Sequence, residues 1–143
     1  MKSENRLVRF SMLVMRWCLD SGTPCIFENV DASWVWELPF FRQIVKRQRA
    51  AVAIADLCQF GARWKKRTRF IGINISRADF AELSRPCPGP ESCCPESGVR
   101  HQTLTGYASS GTPWTRVAKT YPKTLNKILG EVLLNSFHKP RLP

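Results

Sequence analysis

The sequence is poor in acidic residues and has no long apolar run. Its 143 residues include 11 Asp and Glu against 22 Lys and Arg, a formal net charge of +11. No apolar run is long enough to span a membrane. The apolar stretch at residues 7–19 is interrupted by Arg9 and Arg16, and no small-residue cleavage site follows it. We therefore expect an amphipathic helix rather than a signal peptide, and an intracellular protein, cytoplasmic or nuclear and not secreted, with no membrane partner.

The sequence also lacks the C-x2-C pair that marks many structural zinc sites. It has six cysteines nevertheless. In a chain without an export signal, cysteines are expected to be free thiols or metal ligands rather than disulfides. The excess of positive charge predicts a polyanionic partner, and the alternative is a small basic domain with no specific partner.

Apolar periodicity predicts helices alternating with short strands. Helical spacing marks residues 4–20, 34–45, 79–83 and 125–137, and short apolar runs mark 25–27, 51–57 and 68–75 as strands. Ser33 is expected to cap the second helix and Pro39 to kink it near its start. This order indicates an α/β fold, with a partial Rossmann-like, partly parallel sheet, flanking helices and a cysteine-rich loop.

The same pattern divides the chain into three segments. We expect an α/β unit at residues 1–84, an irregular region rich in cysteine and proline at 85–123, and a C-terminal helix at 124–138 that packs on the α/β unit. Only three strands are visible, which is fewer than in a usual sheet. The sheet is therefore either small or part of a larger one.

Most of the positive charge lies in one segment. Between residues 42 and 69 there are nine basic residues and one acidic residue, so that 28 residues carry +8 of the total +11. Such clustering predicts contact with a phosphate backbone, and an aromatic residue within the cluster could stack on a base. The alternative is a solvated helix end followed by a solvated turn. The predicted nucleic-acid-binding residues are Arg42, Lys46, Arg47, Arg49, Arg63, Trp64, Lys65 and Lys66.

Two short motifs lie next to predicted strands. In the first, Glu28-Asn29-Val30 follows the apolar residues 25–27. A carboxylate at the carboxyl end of a parallel strand lies where open α/β sheets bind ligands. The alternative, which these three residues alone favour, is an acid that caps the next helix. In the second, the turn at Phe60-Gly61 leads through alternating basic residues into the strand at 68–75. Alternation places Lys65, Arg67 and Arg69 on one side of an extended segment.

Together the two motifs resemble those of DNA cytosine-5 methyltransferases. In that family an apolar strand ends in Glu-Asn-Val, and a Tyr/Phe-Gly turn later precedes a Gln-x-Arg-x-Arg motif that enters a strand. The resemblance covers residues 4–76. It implies that Glu28 contacts and helps to activate a flipped cytosine and that Arg67 and Arg69 contact the base and organise its pocket, so these three are the predicted catalytic residues. The Gln of the motif has no match.

Other features of the family are absent. Its glycine-rich loop for S-adenosylmethionine has no counterpart before residue 25, and Pro24-Cys25 is better interpreted as the start of a strand than as the nucleophile motif. The sequence therefore predicts the carboxyl-side half of a methyltransferase-like core, which contacts DNA, binds S-adenosylmethionine only when completed by a complementary half, and is inactive alone. The alternative is a non-enzymatic basic nucleic-acid-binding module, with or without zinc.

A cluster of metal-ligand residue types lies in the least periodic part of the chain. Cys87, Cys93, Cys94 and His101 fall within 15 residues, and three thiolates with one imidazole make a closed zinc site. The adjacent pair at 93 and 94 is awkward as two simultaneous ligands, so Cys58 or His138 could replace one member. The alternative is a flexible insertion with incidental thiols.

Overall fold

A computed structural model describes residues 2–46, 50–90 and 93–138. Two predicted nucleic-acid contacts, Arg47 and Arg49, lie outside these ranges. The described helices are α1 (Lys2–Ser21), α2 (Pro39–Lys46), α3 (Arg77–Ala81), α4 (Trp114–Val117) and α5 (Lys123–His138), and the strands are β1 (Cys25–Val30), β2 (Ala50–Asp56) and β3 (Arg67–Ile73). Two 3₁₀ helices, Trp34–Glu37 and Leu57–Phe60, precede α2 and follow β2.

The protein has a mixed α/β fold built on a three-stranded antiparallel sheet of order β1-β3-β2. β3 pairs antiparallel with both neighbours, with Cys25 opposite Ile73 and Ala50 also opposite Ile73. β1 and β2 therefore run in the same direction but do not touch. The expectation of parallel pairing is wrong. The connection at 57–66 is short enough to return β3 beside β2, whereas the longer one at 31–49 carries the chain across the sheet.

The two faces of the sheet are covered by different helices. On the face that we call the α5 face, Ala53 and Phe70 pack with Phe80 of α3 and Leu125 of α5. On the opposite face, which we call the α1 face, a second cluster of buried residues forms against α1, α2 and the first 3₁₀ helix; it includes Met15, Trp36, Phe41, Ile44, Ile71 and Ile73. Alternation along β3 assigns Phe70 to one cluster and Ile71 to the other.

Ser33 and Pro39 both lie at helix starts, but the region predicted as one helix consists of a 3₁₀ helix followed by α2. Ser33 caps the 3₁₀ helix, where its side chain accepts a hydrogen bond from the Val35 N–H. Pro39 is the first residue of α2, so it begins a helix rather than kinking one. This is the position where its fixed φ and missing N–H are tolerated best. In the part of the chain that the structure describes, no helix is both long and apolar enough to cross a bilayer.

The two outer strands differ in how well they are covered. β2 is buried at most positions, and its end is bonded to the segment after α3, where the Asp56 N–H donates to the carbonyl of Arg85 at 3.0 Å. β1 is only half-buried from Cys25 to Asn29, and Val30 is exposed. The sheet therefore has one closed flank, on the β2 side, and one open flank, on the β1 side.

Candidate metal centre and basic strand end

Four potential metal ligands converge beside the end of β2. The side chains of Cys58, Cys87, Cys94 and His101 are all buried, and their ligand atoms lie within 4.8 Å of one another. Three thiols and one imidazole make the donor set of a closed tetrahedral zinc site. The cluster can therefore hold a metal ion with no ligand position left for a substrate.

Three different segments bring these side chains together. Cys58 lies in the 3₁₀ helix after β2, which ends at Gly61 with a positive φ of 91°. Cys87 is held by the carboxylate of Asp56, which accepts its N–H at 2.7 Å. Cys94 begins a tight turn in which its N–H donates to the carbonyl of Val99 at 3.0 Å. The positive φ of Gly98, 64°, permits this turn, which delivers the chain to His101.

The surrounding polar groups are arranged as around a metal centre. Nδ1 of His101 lies 3.2 Å from the carbonyl of Pro90, which leaves Nε2 directed at Sγ of Cys87, 3.9 Å away. A backbone carbonyl at the second ring nitrogen is the usual way in which a metal-binding histidine is oriented. The Gln59 side-chain amide donates toward Sγ of Cys58 and of Cys94, at 3.8 and 3.6 Å. These contacts favour sulfurs that carry negative charge.

The thiols of the cluster differ in acidity. Hydrogen bonds from the side chain and backbone of Ser97 lower the pKa of Cys94 to about 6, against the opposing effect of burial. Burial raises the pKa of Cys58 to about 12, and the neighbouring Cys87 adds to this. Without a cation, the cluster would hold at least one protonated thiol. Metal binding would therefore release protons, as it does at thiolate sites generally.

The structure corrects one of the four predicted metal ligands. Cys87, Cys94 and His101 belong to the cluster, whereas Cys93 is exposed and is replaced by Cys58. In an extended segment adjacent side chains point in opposite directions, so Cys93 and Cys94 cannot both face one ion. The sequence marks Cys58 as a substitute but not as the preferred one, because its proximity depends on how β2 ends. The other substitute considered, His138, is exposed at the end of α5.

The segments that carry the cluster are bonded to the basic segment at residues 63–67. The Gln102 N–H, one residue beyond His101, donates to the carbonyl of Arg63 at 2.7 Å. Nζ of Lys65 donates to the carbonyl of Gly89, two residues beyond Cys87, at 2.9 Å. The Leu57 N–H, just before Cys58, donates to the carbonyl of Lys66 at 3.2 Å. Each segment that carries a ligand is thus tied to the basic segment, which leaves Arg63 and Arg67 exposed at its ends.

The remaining predicted nucleic-acid contacts occupy different environments. Trp64 is partly buried against the α5-face core, and its Nε1 is buried without a hydrogen-bond partner among the described residues. Nζ of Lys66 lies 5.8 Å from the centre of the Tyr121 ring. Arg42 is exposed and paired with Glu37. Arg42 lies on α2, outside the segment at 63–67.

A shallow groove on the α1 face adjoins α2. It has a volume of about 330 Å³ and is lined by Trp36, Glu37, Phe41, Arg42, Val45, Lys46, Val52, Arg69 and Ile71. Lys46 is exposed at its rim. Arg42 and Arg69, two of its three cations, are paired with acids, so the groove carries little net charge.

The three predicted catalytic residues share one end of the sheet but not one face. Glu28 lies opposite Phe70 and therefore on the α5 face, beside Tyr121, whereas Arg67 and Arg69 alternate with Thr68 and point to the α1 side. Two nitrogens of Arg69 lie 2.7 Å from one Asp31 carboxylate oxygen. The Arg69 guanidinium also lies over the Trp36 ring, 5.2 Å from its centre.

Cys25 has the environment of a core residue. It lies in β1 against the buried Cys18 thiol, and burial together with this contact raises its pKa to about 12. A thiol that is hard to ionise is a poor nucleophile. The residues after β1 and β2 include no glycine-rich loop, so the described residues do not fit S-adenosylmethionine.

Comparison with protein families, with curated proteins and with solved structures finds no match for this chain.

Proposed function

We propose that this protein is a nucleic-acid-binding module whose basic strand end is held in place by a structural zinc ion. The observation that carries the proposal is the set of hydrogen bonds that join Leu57, Gly89 and Gln102, which neighbour the Cys₃His ligands in sequence, to residues 63–66. A zinc ion on Cys58, Cys87, Cys94 and His101 would fix three loop segments at once. Its chemistry would be structural, because four protein ligands close its coordination shell.

The proposed contact with nucleic acid is electrostatic. Arg63 and Arg67 are exposed, and the backbone between them is bonded to the metal loops, so both cations are presented from an ordered segment. Ordering before binding reduces the entropy lost when a long cationic side chain meets a phosphate. The net charge of +11 supplies long-range attraction to a polyanion.

The test compares binding to a fluorescent DNA duplex over a range of salt concentrations. Arg67→Ala and Arg63→Ala should each reduce the slope of log K against log salt by about 0.9, because each removes one phosphate contact. Arg9→Ala, which removes an exposed arginine from α1, is the matched control. Removal of zinc with a chelator should weaken binding as much as the two substitutions together.

Two results would count against this proposal. Equal effects of Arg9→Ala and Arg67→Ala would show that binding depends on total charge and not on this segment. An unchanged affinity for DNA after verified loss of zinc would show that the metal does not support the contact with DNA. Circular dichroism of each variant shows whether the fold is retained.

We infer a second candidate function from the shared position of Glu28, Arg67 and Arg69 at the end of the sheet where β1 and β2 have their carboxyl ends. In this proposal the chain is the carboxyl-side half of a Rossmann-like, methyltransferase-like core that contacts a flipped cytosine. A complementary half would supply the nucleophile and the S-adenosylmethionine site.

The second candidate predicts base selectivity in addition to charge-dependent binding. A duplex with one unpaired cytosine should bind more tightly than the same duplex with an unpaired thymine, and Glu28→Gln or Arg67→Ala should abolish the difference. Lys46→Ala should lower affinity for both duplexes alike. Equal binding of the two duplexes would leave the electrostatic module as the sole proposal, and tight binding of S-adenosylmethionine by this chain would contradict the assignment of the missing half.

A further inference from the structure

The outward side of α1 is apolar although it lies outside the core. Five large apolar side chains on this side are exposed, and we call them the α1 stripe: Leu7, Phe10, Leu13, Val14 and Trp17, with exposed fractions of 68, 64, 68, 39 and 61%. Their spacing follows one side of a helix. The other side of α1 is buried through Met15 and Cys18, which pack in the α1-face core. The helix therefore covers the sheet with one side and presents the α1 stripe to solvent with the other.

Arginines lie beside the α1 stripe and within it. Arg9 and Arg16 are exposed four residues before and three residues after Leu13, so they border the stripe along one edge. Arg6 is exposed within the amino-terminal turn of the stripe. Among the residues of α1 whose side chains the structure describes, Asp20 is the one acid. The outward side of this helix thus combines large apolar side chains with cations, which outnumber the acid.

This combination fits a lipid surface better than it fits a protein or a nucleic acid. A protein partner would need a groove for a convex helix side and an acid opposite Arg6, because a buried guanidinium without a partner is strongly destabilising. A nucleic acid is bound through its phosphates and by base stacking, so leucine and valine side chains would add little. At a lipid surface, apolar side chains enter the boundary between headgroups and acyl chains, and arginine side chains extend to the phosphates.

We propose that α1 binds the surface of an anionic phospholipid bilayer and lies in its plane, with the α1 stripe among the acyl chains. The net charge of +11 is attracted to anionic lipid, whereas it repels a second copy of the chain. The prediction that the protein has no membrane partner rested on the absence of a spanning segment, and a helix that lies in the surface needs none. The surface differs from the proposed nucleic-acid contact at residues 63–67, so either proposal can fail without the other.

The first test is co-sedimentation of the zinc-loaded protein with vesicles of phosphatidylcholine, either alone or with about one third phosphatidylserine. Binding should be about tenfold or more tighter with phosphatidylserine. Salt should weaken this binding without abolishing it, because the apolar contact is not screened. Leu13→Glu should weaken it by about tenfold or more, since it removes apolar area and adds a charge that anionic lipid repels. Leu134→Glu makes the same change at a leucine of α5 that is 60% exposed, and it should have a much smaller effect.

A second pair of variants separates the position of a cation from the total charge. Arg16→Gln should weaken binding to the phosphatidylserine vesicles by about fivefold, because it removes one cation from the lipid contact. Arg77→Gln removes an exposed arginine from α3, which packs on the α5 face, and is the matched control. Circular dichroism and the zinc content of each variant show whether the fold is retained.

Fluorescence locates the contact independently of affinity. Lipid with brominated acyl chains should quench Trp17 in the bound protein, and Trp17→Phe, which keeps an apolar ring, should bind but lose this quenching. Trp34→Phe changes a tryptophan outside α1 that is 58% exposed, and it should retain the quenching.

Three results would overturn the proposal. They are no binding to either kind of vesicle, equal effects of Leu13→Glu and Leu134→Glu, and loss of quenching in Trp34→Phe instead of Trp17→Phe. A doubled mass in sedimentation equilibrium without vesicle binding, reduced by Leu13→Glu, would also overturn it and would assign the α1 stripe to a second copy.

Discussion

The closed and open flanks of the sheet differ in the path that the chain takes after each outer strand. After β2 the chain folds back on itself, and Asp56, Cys58 and the loops at residues 85–90 and 93–101 cover the strand end. After β1 the chain turns toward the α1 face, and Ser33 and Trp36 donate hydrogen bonds to the carbonyl of Val30, the last residue of the strand, at 2.9 Å. The comparison shows that the outer strand β2 is covered by loops and by the buried side chains that they carry, rather than by a further strand. The flank without such loops retains an exposed edge and an exposed helix side.

The largest expected effect concerns the candidate metal ligands of the closed flank. Cys87→Ser should abolish stoichiometric zinc binding and remove a large share of the stabilisation, which in zinc-finger peptides is roughly 10–16 kcal/mol. The matched control is Cys93→Ser, because Cys93 is exposed and lies outside the cluster. Elemental analysis and thermal unfolding of the two variants measure the difference. Equal zinc content in both would remove the cluster as the metal site.

An intermediate effect on the free energy of unfolding is expected when apolar side chains are truncated, and it should be larger at the β2 flank than at the β1 flank. Leu57 follows β2 and is 0% exposed, whereas Ile26 in β1 is only half-buried. Leu57→Ala should reduce the free energy of unfolding by about 2–5 kcal/mol. Ile26→Ala, which removes the same number of carbon atoms, should cost about 1–2 kcal/mol because less area leaves water on folding. Chemical denaturation provides the comparison, and equal costs would contradict the difference in coverage between the two flanks.

The smallest expected effect lies at the ion pair between Asp31 and Arg69. The two side chains are 22 and 31% exposed, so solvent screens part of their attraction. Asp31→Asn should reduce stability by about 1 kcal/mol. The exposed pair between Glu37 and Arg42 is the control, and Glu37→Gln should change stability by less than about 0.5 kcal/mol. A larger loss of stability from Glu37→Gln than from Asp31→Asn would contradict the expectation that the more buried ion pair contributes more to stability.

The local elements could be predicted because their signals lie in adjacent residues. Helical periodicity located α1 and α5, and apolar runs located all three strands within a few residues of their bounds. The direction of pairing could not be predicted, since apolar runs are the same in parallel and antiparallel strands. The exact metal ligands could not be predicted either, because Cys58 is 29 residues from Cys87 and only the end of β2 brings them together.

The sequence by itself determined the positive charge, the elements and the supply of thiol and imidazole ligands, because these are properties of residues and of their nearest neighbours. Only the tertiary structure decided that Cys58 rather than Cys93 completes the cluster, that Glu28 and Arg69 lie on opposite faces, and that β3 separates β1 from β2. Each of these depends on the path of the chain between distant segments. Loop closure and side-chain direction set that path, and periodicity carries no information about either.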